Sequence, residues 1–235
     1  MGTIKNVIFD FDMTLGFRTT MWTDTVKELL LENNVYATSE QIRPITHGGV
    51  YPWSDPTKSH ADFFKGKDWW ETVAGNIAEG LAENGVCSDL DAKKAMAGLR
   101  ERFCDKRYWK LFPDTLDTLE QLTNEGYSLA LVSNHIPEAR EIFNDLGLGA
   151  YFPRMVISSE EEYEKPHPEI LTKALGEFSK DKTVLVGDNY FADVLGAIQF
   201  GMGAVLVRKP NVNGYNYYCK TLEELPSLLK RMQKK

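Results

Sequence analysis

The chain has 235 residues, 43% hydrophobic and 26% charged, with a net charge of -7, which suits one large domain or a main domain carrying an insertion. That charge argues against a general nucleic-acid binder, which would show a basic patch and a high pI, and no apolar stretch approaches the ~20 residues of a membrane span. Three scattered cysteines, Cys87, Cys104 and Cys219, fit neither a disulfide framework nor a zinc knuckle and point to a reducing, cytoplasmic location.

The N-terminus, Met1-Gly2-Thr3-Ile4-Lys5-Asn6, does not read as a signal peptide, and Asn6 breaks the myristoylation pattern at Gly2. Val7-Ile8-Phe9 is a β-branched and aromatic run that reads as a buried strand ending on Asp10. From about 17 to 108 the pattern is mostly helical, with 3.6-type spacing over 22–33, 68–84 and 89–107. A Gly/Pro/aromatic loop, 48–56, interrupts it. Further strands are expected at 127–132, 155–157, 183–186 and 204–207. Helices are expected between them: one after Pro113-Asp114 with Gly126 as its stop, then Pro137–Leu146, Pro168–Leu175, a helix ending at Gly201, and Leu222–Met232. Strand and helix alternate with short connections, which means a doubly wound parallel α/β sheet of Rossmann-like type. The expected organisation is a catalytic core of 1–16 and 109–235, with 17–108 inserted as a helical unit.

Polar residues cluster where the strands end. The first strand delivers Asp10 and Asp12, the second Ser133 and Asn134, the fourth Asp188, and Lys165 follows the third. In an open α/β sheet, ligands bind beyond the carboxyl ends of the strands, near the point where the winding reverses. Asp10, Asp12, Asp188 and Asp193 carry four negative charges, and such a group repels itself unless a cation sits in it. Hard oxygen donors suit Mg²⁺. Lys165 and Mg²⁺ together return three charges, so a phosphate dianion then meets a tolerable field. Two carboxylates two residues apart, just past a strand end, can diverge: one attacks and the other serves as acid and base. Thr14 is expected to hold this turn through its hydroxyl and the backbone.

These residues resemble the motifs of the haloacid dehalogenase-like (HAD) superfamily, in the branch with a helical cap after the first motif. DxDx[TV] is matched by Asp10, Asp12 and Thr14; the strand-ending Ser or Thr by Ser133; Lys-Pro by Lys165-Pro166; and GDxxxxD by Gly187-Asp188 and Asp193. Met13 stands where many members have Gly. The resemblance implies a phosphatase with Mg²⁺ as cofactor. Asp10 would form an aspartyl-phosphate, and Asp12 would protonate the leaving group and then activate water. Ser133, Asn134 and Lys165 would hold phosphoryl oxygens, with Thr14 at the same site. Mg²⁺ would be held by Asp10, the Asp12 carbonyl and Asp188, with Asp193 supporting.

Some residues keep two readings. Asn189 is a turn residue or a supporting ligand. His135 faces the site or is an ordinary loop histidine, and His47 either touches substrate or does not. His60 and His167 read as surface. The five tryptophans, at 22, 53, 69, 70 and 109, form a core for the helical unit or line a pocket. Trp69 and Trp70 point to different helix faces, so at least one is expected outside the core. Phosphomutases share all four motifs. Dehalogenases and phosphonate-cleaving members lack the second carboxylate, so Asp12 disfavours both, and a non-catalytic module would not need Asp10 and Asp12 together. The expected substrate is a small phosphorylated metabolite, and the sequence does not specify an oligomeric state.

Overall fold

The structure is a computed structural model that describes residues 3–211 and 213–233. The readings at Met1 and Gly2 lie outside the described residues. The strands are β1 Asn6–Phe9, β2 Gly16–Arg18, β3 Trp109–Leu111, β4 Ser128–Ser133, β5 Met155–Ile157, β6 Thr183–Gly187, β7 Gly203–Val207 and β8 Tyr218–Cys219. Helices α1 Trp22–Glu32, α2 Ser39–Thr46, α3 His60–Phe64, α4 Trp69–Glu83, α5 Asp89–Met96 and α6 Leu99–Cys104 lie between β2 and β3. Later in the chain come α7 Thr115–Asn124, α8 Ala139–Asp145, α9 Pro168–Leu175, α10 Gly196–Phe200 and α11 Leu225–Met232. The chain divides into two compact units, one of residues 1–17 and 110–235 and the other of residues 18–109.

The first unit is built on a six-stranded sheet of order β5-β4-β1-β6-β7-β8, and all its neighbouring strands pair in parallel. The doubly wound parallel sheet expected from the alternation is therefore present. Strand β1 is central because both its faces are apolar: Val7, Ile8 and Phe9 are fully buried, as parallel strands covered on both sides require. Ile8 packs with Ala130, Val132, Leu185, Ile170 and Leu171, and Phe9 meets Phe152 at 5.9 Å. Phe9 is level with Leu131 of β4 and Val186 of β6, so the residues just past these three ends meet at one sheet edge. The winding passes from β1 out to β5, then returns to β6 on the other flank of β1. That reversal is where such sheets open a crevice.

Helix α9 shows how the flanking helices form. Pro168 opens it, the His167 side chain accepts the Glu169 N–H at 3.3 Å, and Ile170, Leu171, Ala174 and Leu175 make the buried stripe. The segment before Gly201 differs from the single helix expected. A widened, π-type turn over Tyr190–Leu195 precedes α10. Strand β8 and the short strands β2 and β3 were not anticipated. They have two or three residues each, too few for a two-residue alternation to register.

The second unit is helical. Asp68 caps α4 through bonds from Trp70 N–H at 2.9 Å and Glu71 N–H at 3.2 Å. The run expected as one helix over 89–107 breaks at Gly98 into α5 and α6. Helix α2 was not anticipated, although its capping box, Thr38 with Gln41, is present; Pro44 inside it masks the pattern. Trp22 stacks on Phe103 at 3.7 Å and Tyr51 on Trp53 at 4.8 Å. Both Trp69 and Trp70 are buried, against the expectation that one would lie outside. Trp22 lies near both rings, Phe64 near Trp69 and Phe103 near Trp70, so aromatic neighbours cover both helix faces. His60 is also buried, against Phe64. His167 is half-buried and stacked on Tyr163, while His47 is exposed.

Candidate active site

Asp10 follows β1 directly, and its N–H donates to Val186 O on β6 at 2.9 Å. Its two carboxylate oxygens have separate partners. Oδ1 accepts from Lys165 Nζ at 2.6 Å and Oδ2 from Thr14 Oγ1 at 3.1 Å. The Thr14 hydroxyl therefore goes to the Asp10 carboxylate, not to the backbone as expected. The turn is held instead by the N–H groups of Thr14, Leu15 and Gly16 on Phe11 O. Met13 takes a left-handed φ of +55° in this turn, a conformation that favours glycine.

Lys165 Nζ also donates to Asp193 Oδ1 at 2.7 Å. Burial alone would favour the neutral amine, but the Asp10 and Asp193 carboxylates outweigh it and raise the lysine above its ordinary value. Asn134 grips the backbone of the same lysine from the end of β4. Its Oδ1 accepts the Lys165 N–H at 2.7 Å and its Nδ2 donates to Lys165 O at 3.0 Å. Asp193 Oδ2 accepts the Asn189 N–H at 3.0 Å. The Asn189 side chain caps the following turn, accepting from Phe191 and Ala192 N–H. Gly187 is needed here: a Cβ on it would sit 2.1 Å from Asp193 Oδ2.

Asp10, Asp188 and Asp193 place carboxylate oxygens within 4.8 Å of one another. Burial, with Asp193 and Asp188 adding to it against the opposing Lys165, pushes Asp10 up to about 7. Burial also raises Asp188. Asp12 is raised well above the usual carboxylate range, first by burial and then by the Asp10 and Asp188 charges. A divalent cation among these groups would restore the anionic forms, so the donor set fits a hard metal such as Mg²⁺. Asp12 Oδ1 and Ser133 Oγ are among the buried side-chain atoms without a hydrogen-bond partner among the described residues. Buried polar atoms are rarely left so, and here both belong to strand-end residues converging on one sheet edge.

Two side chains extend the set. Lys209, just past β7, pairs with Asp188 Oδ2 at 2.7 Å. It had no motif to mark it, only its place at the carboxyl end of a strand. His135 is buried, and its Nε2 lies 3.5 Å from Asp12 Oδ2, so it faces the site. Burial pushes the imidazole down to about 3, which keeps it neutral.

The family model for haloacid dehalogenase-like hydrolases matches residues 7–207. The chain belongs to the haloacid dehalogenase-like hydrolase family. Within it, the chain is 37% identical over 99 residues to the glyceraldehyde 3-phosphate phosphatase of Methanothermobacter thermautotrophicus, covering 41% of this chain and 44% of that one. It is 34% identical over 132 residues to the phosphoserine phosphatase of Thermus thermophilus, covering 55% and 51%. The chain thus spans about half the length of these curated relatives. A 2-haloacid dehalogenase from Pseudomonas syringae pv. Tomato shares the fold, with a TM-score of 0.66 at 22% identity over 97% of this chain and 99% of that one. The family's fold therefore carries more than one chemistry, and the site must choose between them.

Proposed function

We propose that this chain is a Mg²⁺-dependent phosphomonoester hydrolase that acts on a small phosphorylated metabolite through an aspartyl-phosphate on Asp10. The observation that carries the reading is the second carboxylate. Asp12 stands two residues from Asp10 with a raised proton affinity, suited to protonating a leaving alkoxide that a departing halide would not need. The names of the two phosphatase relatives support phosphate chemistry on small metabolites.

In this reading an Asp10 oxygen attacks phosphorus and the bond to the leaving oxygen breaks. The leaving oxygen takes its proton from Asp12. Water then attacks the phosphorus, Asp12 accepts its proton, and the Asp10 carboxylate is released with inorganic phosphate. Lys165 neutralises Asp10, with Asn134 holding the lysine backbone and Asp193 its amine. The unsatisfied Ser133 hydroxyl and the Asn134 amide would receive phosphoryl oxygens. Asp10, the Asp12 carbonyl and Asp188 would hold Mg²⁺, which when bound supplies charge neutralisation for the phosphoryl group. Residues 18–109, inserted directly after the first motif, would act as the cap that selects the leaving group.

The test is hydrolysis of p-nitrophenyl phosphate. Activity should disappear with EDTA and return with Mg²⁺. Asp10→Asn should abolish turnover while leaving the thermal transition in place, and haloacids should release no halide. Full activity of Asp10→Asn would overturn the nucleophile assignment, and halide release would favour the dehalogenase chemistry instead.

A further inference from the structure

Backbone, ring and one ring nitrogen all help to hold His135 in place. Its backbone N–H donates to Ser158 Oγ at 3.0 Å. Its ring meets Phe11 at 5.8 Å and Phe143 at 5.2 Å, both edge-on. Its Nδ1 accepts the Ile136 N–H at 2.9 Å, so that nitrogen carries a lone pair and no proton. The ring proton therefore resides on Nε2, because a neutral imidazole has one N–H. Nε2 lies 3.5 Å from Asp12 Oδ2.

We propose that His135 is a positioning residue for Asp12, its Nε2–H orienting the carboxyl and steadying the negative charge that Asp12 holds once its proton has passed to the leaving oxygen. The proposal rests on the reading of Asp12 as acid and base. Side chains around general acids tighten as the reaction proceeds, so a 3.5 Å approach at rest is short enough to close. No proton leaves His135 in either half of the reaction. The imidazole donates a hydrogen bond, while the proton that moves travels from Asp12 to the leaving oxygen and returns from water.

The experiment compares kcat/KM in Mg²⁺ across aryl phosphates, from 2,4-dinitrophenyl, whose leaving group needs no proton, to phenyl phosphate, whose leaving group does. A general acid contributes ~10²–10⁴, and a group that only orients it is expected to carry about 10- to 100-fold. His135→Phe should lower the phenyl ester by about that factor and change the dinitrophenyl ester little. His135→Gln places an N–H where Nε2 stood and should recover most of the loss. His135→Asn places its amide at the Nδ1 position and should not, so the Gln and Asn pair carries the test if His135→Phe fails to fold. An equal loss on all esters, or equal values for Gln and Asn, would overturn the proposal. Asp12→Asn is the control. If it too leaves the leaving-group dependence unchanged, the acid–base reading of Asp12 falls and takes the proposal with it. If Asp12→Asn steepens the dependence and the His135 variants do not, the proposal alone falls.

Discussion

Lys165 is the residue around which the site is organised. A buried ammonium would be costly alone, and two buried carboxylates would be costly without it. Together they form a fixed triad, with Asp10 and Asp193 on the same Nζ. Asp193 can reach that amine only because it lies against the backbone of Gly187. Gly187→Ala should therefore push Asp193 off Lys165, since the nearest atoms to the new methyl are carboxylate and Cβ rather than a free chain end. The expected cost is about 1–3 kcal/mol in denaturant unfolding, as for overpacked cores. Activity on p-nitrophenyl phosphate should fall by about 10²-fold, the scale for one displaced electrostatic contact. A variant as stable and active as the parent would show that this contact is dispensable.

At the scale of elements, the exit of β7 does two jobs with adjacent residues. Arg208 Nε donates to Thr14 O at 2.8 Å and so braces the turn that follows Asp10. Lys209 turns to Asp188 instead. Arg208 takes a left-handed φ of +65°, and this turn lets one loop serve two strand ends. Lys209 supplies positive charge where the metal reading requires a cation, and its side chain is 54% exposed. Lys209→Ala should tighten divalent-cation binding two- to fivefold, the ~0.5–1 kcal/mol of a half-exposed pair. Mn²⁺ binding followed by electron paramagnetic resonance would measure it. Weaker binding in the variant would mean that Lys209 helps to hold the site rather than competing for Asp188.

For the molecule as a whole, Asp114 joins distant parts of the first unit. Its carboxylate accepts from Arg208 Nη2 at 2.6 Å and from the Leu222 N–H at 2.8 Å. Burial would raise Asp114, but Arg208 and the Leu222 N–H outweigh it and hold it below the usual carboxylate range. A native value below the unfolded ~3.9 means that this contribution is complete at neutral pH and fades as pH falls through the native value. Asp114→Asn should cost about 2 kcal/mol at pH 7. The gap to the parent should close in acid, below about pH 4. Unfolding curves across pH would show it, and a constant gap would place the effect in packing rather than charge.

Much of this was legible in the residues alone. Each apolar run that ends on a polar residue is a strand, because a strand buried on both faces needs a continuous run and must stop where chemistry begins. Asp10, Ser133, Lys165, Asp188 and Asp193 were likewise visible, each beside a strand or helix signal. Short strands, the capped helix α2 and the burial of both Trp69 and Trp70 were not, because neighbours distant in sequence decide them. The Thr14 hydroxyl was assigned to the backbone for the same reason: its choice depends on where the Asp10 carboxylate points.

The sequence by itself determined the order of the longer sheet strands and of the helices between them, and most of the charges at the sheet edge, because periodicity and end signals are local. Tertiary structure decided the pairings. Asn134 holds the backbone of a lysine 31 positions away, Lys165 reaches an aspartate 155 positions away, and His135 Nε2 comes to 3.5 Å from Asp12 Oδ2. Such bonds follow the direction of side chains after the sheet has wound, and no spacing along the chain records that direction.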